Sequence, residues 1–397
     1  MMPVVFKVPG LGLEIPGYGL ALMIGFLLSI MWAVRRAERS GANPDVVLNC
    51  GFLALLGGVG GSRLMYVWHY WEQFALHRTT GRILWAILDV RKGGLEVYGG
   101  FIAVTLLVLG YLWWRKHSIR WYLDIIAPSA ALGMAIGRIG CFLNGCCFGG
   151  VCELPWAVRF PFGSPPHRQQ WTECRPGTGL PQQLLIFGPN GFWPDGTAAS
   201  PLTRESLRLT DRELAAAEQK AQAAQERANR LRELAKTVAD APTRQRLHNQ
   251  ARAAEADTLR HYEIRAQMKR YGLKAGQLRE LASQYRSLPV HPTQLYSTVT
   301  LGLLAGLLAT LYWRRTRDGQ VVCTMLLIEP WTRYTLELLR ADNPHDTAGF
   351  TISQFLAILL SLSGLIGLLL LRRLPPRSPR AVLWEAPAPT KPPQRQT

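Results

Sequence analysis

The chain has 397 residues, 48% of them hydrophobic, with 45 Lys and Arg against 27 Asp and Glu and a net charge of +18. A mean hydropathy near zero suits a soluble protein, but it averages long apolar runs with a highly charged central segment. The charge excess would suit nucleic acid, yet no nucleic-acid motif is present. The apolar runs point to lipid, and an anionic membrane surface is the expected partner of the basic flanks.

In chain order, seven stretches are apolar and long enough to cross a bilayer, which takes about 20 residues. The first runs from Tyr18 to Val34 and is followed by Arg35-Arg36; no removable signal peptide is expected before it, since no charged segment with a small-residue cleavage site is seen there. The second, Val46–Trp68, is interrupted by Gly57-Gly58-Val59-Gly60-Gly61 and Arg63, where small residues favour close helix packing. The third, Val97–Trp114, opens after Gly93-Gly94-Leu95-Glu96 with Val97-Tyr98-Gly99-Gly100 and ends at Arg115-Lys116. The fourth, Trp121–Leu143, carries Arg138 within Gly137-Arg138-Ile139-Gly140 and runs into Asn144-Gly145. A guanidinium keeps its charge and is costly near a membrane, so Arg138 calls for an anionic partner.

Residues 151–290 form a polar insertion. Its first part, to about Ser200, is rich in Pro, Gly and aromatics and predicts irregular loop. From about Thr210 to Arg286 the composition shifts to Ala, Glu, Arg, Gln and Leu and predicts a helical hairpin bending near Ala239–Thr243, with coiled-coil character as one option. The fifth span, Thr293–Trp313, follows His291-Pro292 and precedes Arg314-Arg315. The sixth, Val321–Leu339, places Glu329, Arg333, Glu337 and Arg340 on one helical face. Either an ion-pair ladder or a functional cavity accounts for that face, and a cavity is favoured. The seventh, Phe350–Leu371, ends at Arg372-Arg373; the Pro- and Arg-rich tail at 375–397 is expected to be disordered.

All four basic clusters fall on one side if the spans alternate. The positive-inside rule makes that side the cytoplasm, with the N-terminus outside and the C-terminus inside. The expected fold is therefore an all-α integral membrane protein of seven transmembrane helices with an extracytoplasmic helical hairpin. Its expected parts are a membrane domain over 1–150, the insertion 151–290, a membrane domain over 291–374 and the tail.

This topology puts Tyr18, Tyr98, Arg138, Asn144, the block His291-Pro292-Thr293-Gln294-Leu295-Tyr296 and Arg333 at one membrane depth. Two arginines in a cavity near headgroups are suited to grip a phosphate through bidentate, charge-assisted bonds. The residues thus suggest a protein that binds an anionic phospholipid or another lipid-linked phosphate.

Those same blocks resemble the prolipoprotein diacylglyceryl transferase family. The matching pieces are Gly137–Gly140 with Phe142-Leu143-Asn144-Gly145, Trp156-Ala157-Val158-Arg159-Phe160-Pro161, the His291–Tyr296 block, Arg333-Tyr334 with Glu337 and Arg340, Tyr18-Gly19, and the glycine pairs flanking Leu95–Tyr98. The resemblance spans the membrane segments but not the hairpin. It implies transfer of the diacylglyceryl group of phosphatidylglycerol to the lipobox cysteine thiol of a preprolipoprotein in the bacterial inner membrane, releasing glycerol phosphate. No metal or cofactor and no nucleic-acid partner is implied. Arg138, Arg333, Glu337 and Tyr98 are the expected catalytic residues. Tyr18, Asn144, His291, Gln294, Tyr296, Arg340, Gly99 and Gly100 are the expected substrate-binding residues. The family commonly has His at the Tyr98 position, Asn at Cys141 and Glu at Cys146, so the general base is open. A non-catalytic binder of phospholipid or lipoprotein derived from the family is the alternative. Cys141, Cys146, Cys147, Cys152 and Cys174 are read as disulfide candidates before reactive thiols or a metal site.

Overall fold

The computed structural model describes residues 4–8, 13–71, 74, 80–88, 94–187, 199–204, 207, 209, 211–237, 240, 243–245, 247–248, 250–251, 267–340 and 351–384. The chain divides into two compact units, residues 142–292 and, apart from residue 1, the remainder.

Among its described residues the larger unit is mostly helical, with a small antiparallel pair, β1 (Val4–Val8) and β2 (Leu13–Pro16). Its helices are α1 (Gly17–Arg39), α2 (Pro44–His69), α3 (Thr80–Leu88), α4 (Val97–Trp114) and α5 (Ile119–Asn144), whose last three residues enter the other unit. Six described helices are long and apolar enough to cross a membrane, and these include α1, α2, α4 and α5. The other two are α9 (Thr293–Arg314) and α11 (Ile352–Leu371). Between them α10 (Gln320–Glu337) covers the expected sixth span; its ionised residues set it apart from the apolar six.

Local chemistry explains the helix ends. Asn43 caps α2 by accepting the Asp45 N–H, and Pro44 sits at the first turn, where a missing N–H costs nothing. Thr351 and Gln354 form a reciprocal capping box at the start of α11. Gly319 precedes α10 with φ +96°, a left-handed conformation that favours glycine. The N-terminus of α10 is capped from another helix: Asp124 of α5 accepts the Gly319 N–H at 2.7 Å and the Val322 N–H at 2.9 Å.

Glycines set the helix spacing. A Cβ on Gly61 would strike Ala103 and the Gly99 carbonyl, so α2 and α4 lie almost backbone to backbone. Likewise, a Cβ on Gly364 of α11 would meet the α10 backbone at Leu327 and Cys323. The core behind them gathers Val46, Val47, Leu112, Ile125, Leu304, Leu308 and Tyr312. Large apolar side chains such as Leu27, Phe52, Leu106, Leu303 and Leu362 remain about half or more exposed. Such a belt suits lipid rather than water.

Not every basic residue at the helix ends faces solvent. Arg36 is buried, donates from Nη1 to the Ile125 carbonyl at 2.7 Å and Ser129 Oγ at 3.0 Å, and lies over Trp32. Arg315 meets Asp124 and Asp318, each at 3.4 Å. Residues 375–384, where composition predicts disorder, are tied down instead: Asp318 exchanges bonds with Pro376 and Ser378, and the Trp384 N–H donates to the Gly41 carbonyl. Residues 385–397 lie outside the described residues.

The smaller unit contains α6 (Pro165–Thr172), a second antiparallel pair, β3 (Leu185–Phe187) with β4 (Ala199–Pro201), α7 (Asp211–Thr237) and α8 (Ala275–Gln284). Phe162, Leu184, Ile186, Leu202, Leu207, Leu214 and Leu278 form its core. Along α7, Leu214, Ala221, Ala228 and Ala235 recur every seven residues and are buried, the spacing of a helix–helix seam. Part of the expected return arm of the hairpin, residues 246, 249 and 252–266, lies outside the described residues.

Candidate functional site

The α10 face that carries Glu329, Arg333 and Glu337 is anchored by a carboxylate. Glu337 has no exposed side-chain surface; its Oε2 lies 3.3 Å from Arg333 Nη2 and 3.4 Å from Arg340 Nη1. Thr351 Oγ1, in the cap of α11, lies 3.5 Å from Glu337 Oε1. One buried carboxylate between two guanidiniums leaves a net positive turn. Breaking such a buried group by removing one partner costs about 3–5 kcal/mol.

One turn earlier, Glu329 interacts electrostatically with Arg333 and with Arg138 of α5. This link brings Arg138 to the α10 face, so the two arginines expected to grip a phosphate share a carboxylate neighbour. Both are partly buried. Apolar surroundings strengthen the attraction between such guanidiniums and an anion.

The glycines around Arg138 are taken up by α1. A Cβ on Gly140 would press on Ala21 and Tyr18, and one on Gly137 would meet Leu22. The signature therefore docks α1 onto α5, with Tyr18 against Gly140, two residues from Arg138. Tyr98, partly exposed at the start of α4, shares a 3.0 Å hydroxyl–hydroxyl bond with Ser353 in the first turn of α11. It thereby reaches the same helix start that meets Glu337 through Thr351. Gly99 and Gly100 face α2, where added Cβ atoms would strike Met65 and Ser62; their geometry serves packing. Gln294 is fully buried in the first turn of α9, whereas Tyr296 is half-buried. Arg340 closes the Glu337 cluster just beyond α10.

Asn144 and His291 belong to the smaller unit, where the backbone joins their segments. Gly149 N–H donates to the His291 carbonyl and His291 N–H to the Gly150 carbonyl, both at 3.0 Å. The Trp156–Pro161 block lies on the same return: Val158 pairs with Val290, and Phe160 exchanges bonds with Ser287. Gly145 turns at φ +83° against the Phe160 ring. Asn144 itself is exposed. Cys152 and Cys174 are free thiols.

Comparison with known proteins supplies the family. The prolipoprotein diacylglyceryl transferase family matches residues 3–370. The chain belongs to that family. A phosphatidylglycerol–prolipoprotein diacylglyceryl transferase of Rhodopirellula baltica is 41% identical over 162 residues, covering 40% of this chain and 32% of the relative. The protein of that name from Pseudoalteromonas translucida is 36% identical over 165 residues, 41% of this chain and 59% of the relative. That from Clostridium tetani is 32% identical over 172 residues, 40% and 61% respectively. The chain thus spans between about a third and three fifths of the length of these relatives.

Three groups escaped the sequence-based choice of site residues. Glu329 was visible as part of the charged face, but its link to Arg138 needs the packing of α5 on α10. Thr351 and Ser353 join the site only because α11 starts beside Glu337 and Tyr98. The pattern Thr351-Ile352-Ser353-Gln354 before an apolar run is a capping-box signal and marks that helix start in advance.

Proposed function

We propose that the chain transfers the diacylglyceryl group of phosphatidylglycerol to the lipobox cysteine thiol of preprolipoproteins, releasing glycerol phosphate. Family membership and the Arg138–Glu329–Arg333–Glu337–Arg340 cluster support this reading, and the convergence of Arg138 with Arg333 carries it. Arg138 and Arg333 hold the phosphodiester and stabilise the charge that grows on the departing phosphate. Glu337 holds Arg333 and Arg340 in place. The substrate thiolate attacks the glyceryl carbon that bears the phosphate. A carbon–sulfur bond forms as the carbon–oxygen bond breaks, and its electron pair leaves on the oxygen of glycerol phosphate.

A free thiol is mostly protonated at neutral pH, so it needs a base and a positive field. Both arginines supply the field, and the side-chain oxygen of Tyr98 is the proposed acceptor of the thiol proton. Tyr18, Gln294 and Tyr296 position headgroup or peptide, with Gly99 and Gly100 setting the spacing of α2 and α4; in the smaller unit, Asn144 and His291 are the proposed substrate-binding residues.

In this reading the protein sits in the bacterial inner membrane. Seven helices cross the bilayer, α10 being the charged sixth, and the N-terminus is outside. Residues 151–290 form the extracytoplasmic insertion with its helical hairpin.

Purified protein mixed with phosphatidylglycerol and a lipobox peptide tests the reading. Wild type is expected to yield the thioether-linked peptide and glycerol phosphate, and Arg138→Ala to yield neither while still inserting into membranes. Absence of product from wild type overturns the transferase reading and leaves a lipid-binding protein.

A further inference from the structure

The end of the bundle where α9 passes into α10 holds a cavity of about 320 Å³ that the proposed transfer does not use. Its lining includes Arg315, Arg317, Arg377 and Asp318, and Arg315 is already paired with Asp124 and Asp318. The Asp318 carboxylate is also engaged: it accepts the Ser378 N–H at 2.9 Å and faces Arg315 at 3.4 Å. Arg317 donates to the Leu371 and Leu374 carbonyls, which fixes its position without neutralising it. Arg377 is exposed and forms no hydrogen bond or ion pair among the described residues.

Two further features describe an occupant. Trp121 and Trp313 border the cavity, and Trp313 is 56% exposed, as indoles are where acyl chains meet headgroups. The helix ends around it bear exposed Arg35, Arg39, Arg314, Arg372 and Arg373. One wall is the C-terminal segment itself, held by Asp318 to Pro376 and Ser378 and by the Trp384–Gly41 bond.

We propose that this cavity binds the phosphate headgroup of an anionic phospholipid and so clamps residues 375–384 to the bundle. Its volume lies at the small end of ligand sites, about 300–1,000 Å³, and guanidiniums are the preferred partners of phosphate. A free phosphate shares that chemistry, but the aromatic border and neighbouring apolar helices favour a lipid, whose chains they also accommodate. The inference is independent of the transfer reaction.

Native mass spectrometry of the purified full-length protein tests it, with phosphatidylserine, phosphatidylcholine and inorganic phosphate as separate probes. Phosphatidylserine is expected to bind in preference to phosphatidylcholine and to resist displacement by inorganic phosphate. Arg377→Gln should bind it about tenfold more weakly, the loss of a charge-assisted contact. Arg380→Gln, which does not line the cavity, should match wild type. Equal binding by wild type and Arg377→Gln overturns the proposal. Preference for phosphatidylcholine, or displacement by an equal concentration of inorganic phosphate, overturns the lipid assignment. An unchanged melting temperature for Arg377→Gln separates a lost site from a misfolded protein.

Discussion

Glu337 has no exposed side-chain surface and meets Arg333, Arg340 and Thr351, so its neighbours depend on its charge. Replacing it with Gln keeps the volume and removes the compensation. The expected outcome is a loss of stability of about 3–5 kcal/mol, seen as a lower melting temperature in detergent, together with lost turnover. Arg138→Ala should differ. Arg138 is half-buried and forms no such clasp, so turnover should fall by about 10²–10³-fold or more with little change in melting temperature. A matching fall in both quantities would make Arg138 a structural residue. Tyr98→Phe removes the hydroxyl that meets Ser353. If the Tyr98 oxygen takes the thiol proton, kcat falls by about 10²–10⁴-fold. Retention of kcat within about threefold would remove Tyr98 from the reaction and leave it as a tie between α4 and α11.

At the scale of elements, the helix pairs depend on positions where nothing larger than hydrogen fits. Gly61 and Gly99 bring α2 and α4 together at backbone distance. Gly61→Leu should cost at least about 1–3 kcal/mol, the usual cost of overpacking, while Gly60→Leu should be near neutral because nothing lies within 4 Å of an added Cβ there. Comparison of the two melting temperatures checks this. The apolar helices were legible because long uninterrupted runs need no tertiary information. The use of the glycines was not: only the position of α1 shows that Leu22, Ala21 and Tyr18 occupy the space beside Gly137 and Gly140. Thr351 and Ser353 were likewise hidden, because a helix start becomes part of a site only through what lies beside it.

Across the whole molecule, the two units invite separate tests. His167 in the smaller unit is buried beside Phe162, and burial followed by the Arg168 charge depresses its imidazole from 6.5 to about 4. The unfolded chain takes up that proton near pH 6.5, whereas the folded unit resists it until about pH 4. Stability from this group is therefore complete above about pH 6.5 and lost as pH falls toward 4. Protection factors of the amides in residues 160–170, taken relative to the intrinsic exchange rate at each pH, should fall across that window, and His167→Gln should flatten the response. The buried seam of α7 ends before the core contacts of Gln267 and α8. Excision of 218–264 with a short Gly-Ser linker should thus leave turnover intact; lost turnover in a folded variant would tie that segment to the reaction.

The sequence by itself determined the helical membrane character, the segments that are apolar, the charged face of α10 and the family blocks. Each depends on composition, or on spacing along a single element. Tertiary structure decided which charges meet. Arg36 and Arg315 count equally with Arg35 and Arg314 as basic flanks, yet they turn inward to Ser129 and Asp124. Asp124, an isolated acid in an apolar run, caps a helix that begins 196 residues later. Glu329 joins Arg138 to Arg333 only because α5 lies against α10. Partners so distant along the chain leave no periodic trace, since their pairing is fixed by helix packing rather than by local spacing.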